Sequence, residues 1–268
     1  MVAWFLIAAV VAPLLAGAPA AAPPVRQLCL ACHPVHYAGR GTCTACHRGN
    51  PVSERKNIAH QRLIAGRYAR FTLADDPVLR EGPRLLEQYA CRRCHVIGGR
   101  GNRLSANLDH AAARRLPEEL AASIRRPVQN MPDFRMEETR ATVVVNGLLL
   151  AARHQPVTAV SRQQVVHFDR STEAGKDVFS IKCGPCHRAL TAGLGGLGRG
   201  DAGPNLSGLL SSFYPKSFRD TEPWNPENLR RWLENPRVIR AGARMQPVKL
   251  SDSEFRELLD IFKVLSVD

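Results

Sequence analysis

The sequence of 268 residues contains no cysteine outside one repeated pattern. Its eight cysteines fall into four copies of Cys-x-x-Cys-His, and none is left over. A disulfide framework would not require identical spacing four times. A zinc site built from paired Cys-x-x-Cys units would not require a histidine after every second cysteine. Thioredoxin-like dithiols occur in a strand–helix–strand context that is missing here. The pattern therefore disfavours all three of these uses.

Long hydrophobic runs are also missing beyond the first 20 residues. The run at residues 1–20 is short for a membrane span and is interrupted by Pro13. It ends in Ala18-Pro19-Ala20, which resembles a signal-peptide cleavage site, although the usual positively charged start is absent. No cysteine follows at the position that a lipoprotein anchor needs. We therefore expect residues 1–20 to be a signal peptide and the protein to work on the periplasmic or extracellular side.

Acidic residues are in deficit, with 24 Asp and Glu against 37 Lys and Arg. The formal net charge is +13 and the sequence pI is about 9.9. This balance favours docking to partners with acidic surfaces or to a membrane-associated complex, because long-range attraction steers oppositely charged surfaces together. Nucleic acid is not expected as a partner, since the chain is predicted to be exported and carries no recognition motif for it.

The four repeated motifs are typical of covalent attachment of haem c. Two thiols separated by two residues can form thioethers with the two vinyl groups of one porphyrin, and the next histidine then lies under the iron. The sequence therefore predicts four covalently bound haem c groups, with His33, His47, His95 and His187 as proximal iron ligands. The predicted attachment pairs are Cys29 with Cys32, Cys43 with Cys46, Cys91 with Cys94, and Cys183 with Cys186.

The spacing of the motifs predicts the domain organisation. The first two begin at Cys29 and Cys43, too close for each haem to have its own globular fold. The third and fourth begin at Cys91 and Cys183, which leaves room for a complete small domain each. We expect a di-haem head over residues 21–74, a middle domain over 75–155 and a C-terminal domain over 156–268. The expected fold class is mainly α, with little regular structure in the head.

The C-terminal domain has a set of helix signals around its motif. Val178 and Phe179 precede the motif on one predicted helix face. Ser251 and Glu254 form a capping box at the start of a final helix. Apolar residues then recur at helical spacing, which predicts a buried face made of Phe255, Leu258, Leu259, Phe262 and Leu265.

With Gly203-Pro204-Asn205-Leu206 after the motif and Met245 before the final helix, this domain resembles a class I cytochrome c domain. The resemblance implies that His187 is the proximal and Met245 the distal iron ligand. It also implies that the carbonyl of Pro204 holds the ring of His187 and that Gly175 permits close crossing of the terminal helices.

The middle domain resembles the same family. The resemblance implies that Met131 is the distal ligand of the haem at His95 and that residues 137–150 form the closing helix. Met136, one helical turn after Met131, is expected to lie in the core, as buried methionines commonly do. One departure concerns the loop after the motif, where Ser105-Ala106-Asn107-Leu108 contains no proline. The hydrogen bond that would hold the ring of His95 is therefore left open.

The head offers His36 and His60 as distal ligands. His33 and His36 are too close in sequence to bind one iron from opposite sides, so we expect His36 to serve the haem at His47. His60 would then serve the haem at His33, although the reverse use of His60 stays open. So does a five-coordinate haem with both residues as ordinary surface or core histidines. The tightly packed haems of such a head resemble those of multihaem cytochromes.

These features predict electron transfer as the function. A pure carrier, which is the favoured class, needs six-coordinate iron, whereas an enzyme needs one open axial position. A Cys-His-Pro-x-His-Tyr head followed by cytochrome c domains is similar to cytochromes of selenite and tellurite reduction or of extracellular electron transfer. The alternative function is therefore a haem reductase of a small oxyanion, such as selenite, tellurite or nitrite, with its open haem in the head.

Overall fold

The computed structural model describes residues 28–128, 130–156 and 175–267. The predicted signal peptide and part of the connection before the C-terminal domain lie outside these ranges. The described chain is mainly helical, with four strands of two or three residues. Among the described residues, no helix combines the length and the apolar character that crossing a bilayer requires.

The head consists of short helical turns joined by irregular chain. Its two α-helices are α1 (Cys43–His47) and α2 (Lys56–Ala59), and it also contains single 3-10 turns at Leu28–Ala31, Gly66–Tyr68 and Arg70–Thr72. No residue between 28 and 63, all of which the structure describes, is buried. Apolar side chains therefore do not hold this part of the head together.

The middle domain packs three helices onto a long closing helix. Its elements are α3 (Val78–Gln88), β1 (Gly101–Asn102), α4 (Leu108–Arg114), α5 (Pro117–Arg125) and α6 (Glu138–Ala152). The closing helix matches the expected range of 137–150 to within two residues at each end. Leu85, Leu86, Val145 and Leu148 fill its core, and Met136 is buried there as expected.

Two glycines allow α3 and α6 to cross in backbone contact. A Cβ atom on Gly82 would lie 2.7 Å from the Cα atom of Gly147 and 2.9 Å from its nitrogen. Since real Cβ contacts are longer than this, neither position has room for a side chain. The helix that leads into the Cys91 motif is thereby fixed against the closing helix.

The last part of the predicted head belongs to the core of the middle domain. Ile64, Tyr68 and Phe71 are buried in the same apolar cluster as α3 and α6. Asn146, which is buried on α6, accepts a hydrogen bond from the backbone N–H of Phe71 and donates one to the carbonyl of Arg67. Packing is therefore continuous across the expected boundary at residue 74.

The C-terminal domain has its own apolar cluster. Its elements are α7 (Val178–Lys182), β2 (Ala189–Thr191), β3 (Gly195–Leu197), α8 (Pro226–Glu234), α9 (Pro236–Ile239), α10 (Asp252–Ile261) and β4 (Ser266–Val267). Strands β2 and β3 form an antiparallel hairpin. Ser251 caps α10 with the predicted box, because Glu254 bonds the N–H of Ser251 while the Ser251 hydroxyl accepts from the N–H of Glu254.

Two expectations for this domain were wrong. Gly175 lies before α7, and a Cβ atom there would meet nothing within 4 Å, so it makes no helix crossing. Its φ of +96° shows that it serves a turn instead. Leu265 is 70% exposed because α10 ends at Ile261 and the chain then extends away from the helix face.

That extended chain joins the two haem-motif domains. Strand β4 pairs antiparallel with β1 of the middle domain, with Gly101 opposite Val267 and Asn102 opposite Ser266. The N–H of Arg103 also donates to the carbonyl of Leu265 at 2.9 Å. The middle and C-terminal domains therefore share backbone hydrogen bonds.

Candidate functional site

In the C-terminal domain, a loop carbonyl hydrogen-bonds the ring of the motif histidine. His187 is nearly fully buried, and its Nδ1 lies 2.8 Å from the carbonyl oxygen of Pro204. A carbonyl only accepts, so Nδ1 carries the proton and Nε2 keeps a free lone pair. Gly203 makes this approach possible, because a Cβ atom there would lie 2.5 Å from Nδ1 of the ring. The site therefore presents Nε2 as a metal ligand of fixed tautomer.

Met245, the expected distal ligand, lies in the loop before α10 and packs against the same core cluster as Cys183. Its sulfur accepts a hydrogen bond of 3.1 Å from the indole Nε1 of Trp232. A thioether sulfur has two lone pairs, so this bond orients one and leaves the other for a metal ion. The sequence analysis did not identify Trp232. The sequence places it on a predicted helix but gives no sign of its contact with the Met245 sulfur.

The middle domain builds the same proximal arrangement without proline. Nδ1 of His95 lies 2.8 Å from the carbonyl oxygen of Ala106. The hydrogen bond left open by the missing proline is therefore present, because the backbone carbonyl supplies it whatever side chain stands there. Gly101 and Gly198 also match, since a Cβ atom on either would overlap the carbonyl oxygen of the preceding motif histidine.

Met131 is the expected distal ligand of the middle domain. This residue is half-buried and packs against the core cluster that also contacts Cys91 and Phe134. Phe134 in turn stacks edge-on against Tyr89 at the end of α3, with ring centroids 5.2 Å apart. The expected distal loop thus lies on the same core as the attachment motif.

Burial sets the protonation of several motif groups. It raises the pKa of the Cys91 and Cys183 thiols to about 11. Burial likewise lowers the pKa of His95, and its bond to Ala106 opposes that shift only in part. Neutral imidazole is the form that binds a metal ion, so this environment favours ligation.

In the head, His36 and His47 face each other through the atoms that would bind iron. Their Nε2 atoms are 3.4 Å apart, and Nδ1 of His47 lies 2.8 Å from the carbonyl oxygen of Ile64. Two imidazole nitrogens that share a metal ion lie about 4 Å apart, twice a metal–nitrogen bond of about 2 Å. The observed separation is close to that value, and the bond to Ile64 gives His47 the same tautomer as the other two motif histidines.

The remaining pair in the head is His33 and His60. Their ring centroids are 5.9 Å apart with the ring planes inclined by 47°. The structure therefore brings His60 to the first motif and His36 to the second. Of the histidines not assigned to iron, His154 is exposed and His167 lies outside the described residues.

A cavity of about 280 Å³ adjoins the second motif, between the head and the middle domain. Its wall combines the Cys46 thiol and the apolar side chains of Phe71 and Leu149 with the basic side chains of Arg48 and Arg153. Burial, and then repulsion by Arg62, lowers the pKa of Arg48. An anionic group would be attracted to this end of the cavity. Neither Arg48 nor Arg153 was distinguished by the sequence, because arginines are common throughout it.

The donor set fits haem c. The eight cysteines lie in four pairs, and each pair stands directly before a motif histidine. Three of these histidines present Nε2 because a carbonyl holds Nδ1, and each of the four has a methionine or a second histidine in its own module. The apolar and basic walls beside Cys46 suit a porphyrin with carboxylate substituents.

Part of the chain matches a known family. The model of the family described as Cytochrome C oxidase, cbb3-type, subunit III matches residues 77–145. That range runs from the start of α3 into α6 and contains the Cys91 motif and Met131. The match supports a c-type cytochrome with covalently bound haem c and a general role in electron transfer. No solved structure matches the chain.

Proposed function

We propose that this chain is an exported cytochrome that carries four covalently bound haem c groups. It would pass electrons from a membrane or periplasmic donor to a terminal acceptor. The support for four groups is the repetition of one donor set, since each motif supplies two thiols and a histidine.

The single observation that carries the carrier function is the pairing of histidines in the head. His36 lies opposite His47, and His60 lies beside His33. In the other two modules we assign the sixth position to Met131 and Met245, each of which packs against the core cluster of its own attachment motif. A carrier needs iron with both axial positions filled, because it exchanges electrons without binding a substrate. An oxyanion reductase needs one open position, and the paired histidines leave none in the head.

The haem groups would supply one-electron chemistry at the iron. The axial ligands that the chain provides would set the reduction potential of that iron. A methionine opposite a histidine raises the reduction potential relative to other ligation. The head would therefore hold two sites of lower potential, and the following domains two of higher potential. We propose that electrons move from the head towards the C-terminal domain.

The partner surface that we propose lies next to Met245. Arg237, Arg240 and Arg244 are exposed in the segment between α8 and Met245. Together with the net charge of +13, they would attract a redox protein with an acidic docking surface. Because that attraction is screened by salt, electron exchange with such a partner would slow as ionic strength rises.

Haem content, optical spectra and carbon monoxide binding test the proposal on the full-length protein. We expect four haems per chain, a near-infrared methionine–iron band when oxidised, and no carbon monoxide binding when reduced. Met131→His and Met245→His should each remove about half of that band. Fewer than four haems, or absence of the band, would contradict the proposed ligands. Stoichiometric carbon monoxide binding would instead favour the oxyanion reductase.

A further inference from the structure

The attachment motif of the middle domain touches the loop beneath the C-terminal histidine. Nη1 of Arg93 donates to the carbonyl oxygen of Asn205 at 3.1 Å. The guanidinium of Arg93 also lies 5.6 Å from the ring centre of Tyr214. A residue inside one Cys-x-x-Cys pair therefore contacts the loop that follows the other motif.

The side chain of Asn205 ties together three parts of these two domains. Its Nδ2 donates to the carbonyl oxygen of Asn130 at 3.1 Å, and Asn130 immediately precedes Met131. Its Oδ1 accepts from the hydroxyl of Ser207 at 2.6 Å and from the backbone N–H of the same residue at 3.0 Å. Asn205 is also bonded through the chain to Pro204, whose carbonyl holds His187.

The middle and C-terminal domains are closely packed where they meet. Gly208 has a φ of +69°, and a Cβ atom there would lie 2.5 Å from the carbonyl oxygen of Arg93. Asn102 is fully buried, donates to the Arg93 carbonyl at 2.9 Å and to the Ser211 hydroxyl at 2.7 Å, and accepts from Ser266. A buried amide with all of these partners satisfied specifies one arrangement of the two domains.

We propose that residues 204–207 form the electron bridge between the haem at His95 and the haem at His187, with Asn205 and Ser207 as positioning residues. The inference rests on the proposed function, since it requires haem at both motifs. The route would run from Arg93 of the Cys91–Cys94 motif across its hydrogen bond to the Asn205 carbonyl, and along the chain to the Pro204 carbonyl and Nδ1 of His187. Ser207 fixes the side chain of Asn205 beside this route. A transfer would oxidise one iron and reduce the other, with no proton or further reactant.

The test measures electron exchange between these two haems in the full-length holoprotein. Nuclear magnetic resonance exchange spectroscopy of a half-reduced sample follows the haem methyl signals of each site. In Asn205→Ala and Ser207→Ala, we expect the exchange rate to fall by at least about tenfold, the usual scale for loss of an outer partner of a metal ligand. Asn205→Asp keeps the acceptor for Ser207 but loses the donor to Asn130. It should therefore keep a rate near that of the natural protein while weakening the methionine band of the His95 haem.

The matched control is Asn228→Ala. Asn228 is a buried asparagine of the same domain whose side chain donates to the carbonyl of Pro223, away from the interdomain contact. This variant should lose stability without a change in exchange rate. Hydrogen exchange at the N–H of Arg103, bonded to Leu265 across the domains, reports whether the domains stay docked.

The outcomes separate the bridge from the proposed function. Unchanged exchange in both Asn205→Ala and Ser207→Ala, in samples that carry four haems, would overturn the bridge and leave the function standing. Slower exchange with rapid amide exchange at Arg103 would also overturn it, because domain separation would then be the cause. If Asn205→Ala fails to mature, Ser207→Ala carries the test, and unchanged exchange in that variant alone then overturns the bridge. A natural protein without haem at either motif would refute the function itself.

Discussion

Replacing Gly82 with alanine should destabilise the middle domain through a backbone clash. The added methyl group would lie 2.7 Å from the Cα atom of Gly147 and 3.2 Å from the carbonyl oxygen of Val143. Both neighbours are backbone atoms, so neither can rotate away, and α3 must move off α6. Alanine gains about 1 kcal/mol in helix propensity over glycine. Overpacking a tight contact costs about 1–3 kcal/mol, and the upper part of that range, about 2–3 kcal/mol, applies here because backbone atoms meet the added methyl group. We expect a net loss of about 1–2 kcal/mol.

Thermal unfolding of the holoprotein, followed by far-ultraviolet circular dichroism, measures this loss. For a domain of this size, the expected change corresponds to a melting temperature lower by roughly 4–16 °C. Gly66→Ala is the matched control, because a Cβ atom at Gly66 would meet nothing within 4 Å. It should leave the melting temperature unchanged or slightly raised. A Gly82→Ala protein that melts at or above the temperature of the natural protein would refute the reasoning, since the contact between α3 and α6 would then accommodate the added methyl group.

Three further perturbations follow from the sites. His36→Ala should open one haem of the head to carbon monoxide, detected by difference spectroscopy, whereas His154→Ala at an exposed position should not; no binding in the former would argue against His36 as a ligand. The pKa of Asp76 is lowered chiefly by its hydrogen bond from a half-exposed arginine, so Asp76→Asn should cost less than about 1 kcal/mol at pH 7. That cost should shrink as the pH falls below about 4 and on through the lowered pKa of Asp76, because the natural carboxyl then becomes protonated as well. Melting curves at pH 7 and below that pKa check the sign. Gly203→Ala places a methyl group against the C-terminal motif histidine and should cost about 1–3 kcal/mol in chemical unfolding, whereas Gly193→Ala, with nothing within 4 Å, should be neutral.

Local signals in the sequence were sufficient for one feature of the fold. The capping box at Ser251 and Glu254 is formed because both hydrogen bonds join residues three apart. The closing helix was instead expected from the resemblance, since the valines at 143–145 and Gly147 have low helix propensity. Met136 is buried as expected. Of these features, the capping box alone depends only on neighbours along the chain.

Features that depend on distant chain segments could not be predicted in the same way. Leu265 continues the helical spacing of α10, yet it is exposed because its backbone bonds Arg103 of another domain. Ala106 hydrogen-bonds His95 through its backbone carbonyl. Every residue has such a carbonyl, so no side-chain pattern could predict this contact. The contact of Trp232 with Met245 likewise requires the path of the loop between them.

The pairing of β1 with β4 constrains the order in which the protein is assembled. Asn102 and Ser266 are 164 residues apart in sequence, yet they hydrogen-bond in the finished structure. Until β4 has docked, the edge at β1 stays uncovered, and loop closure over such a length is slow. Before docking, Arg93 also lacks its contacts with Asn205 and Tyr214, so the middle motif is more accessible in that intermediate. Haem attachment at Cys91 and Cys94 would therefore be expected to precede docking of the last domain.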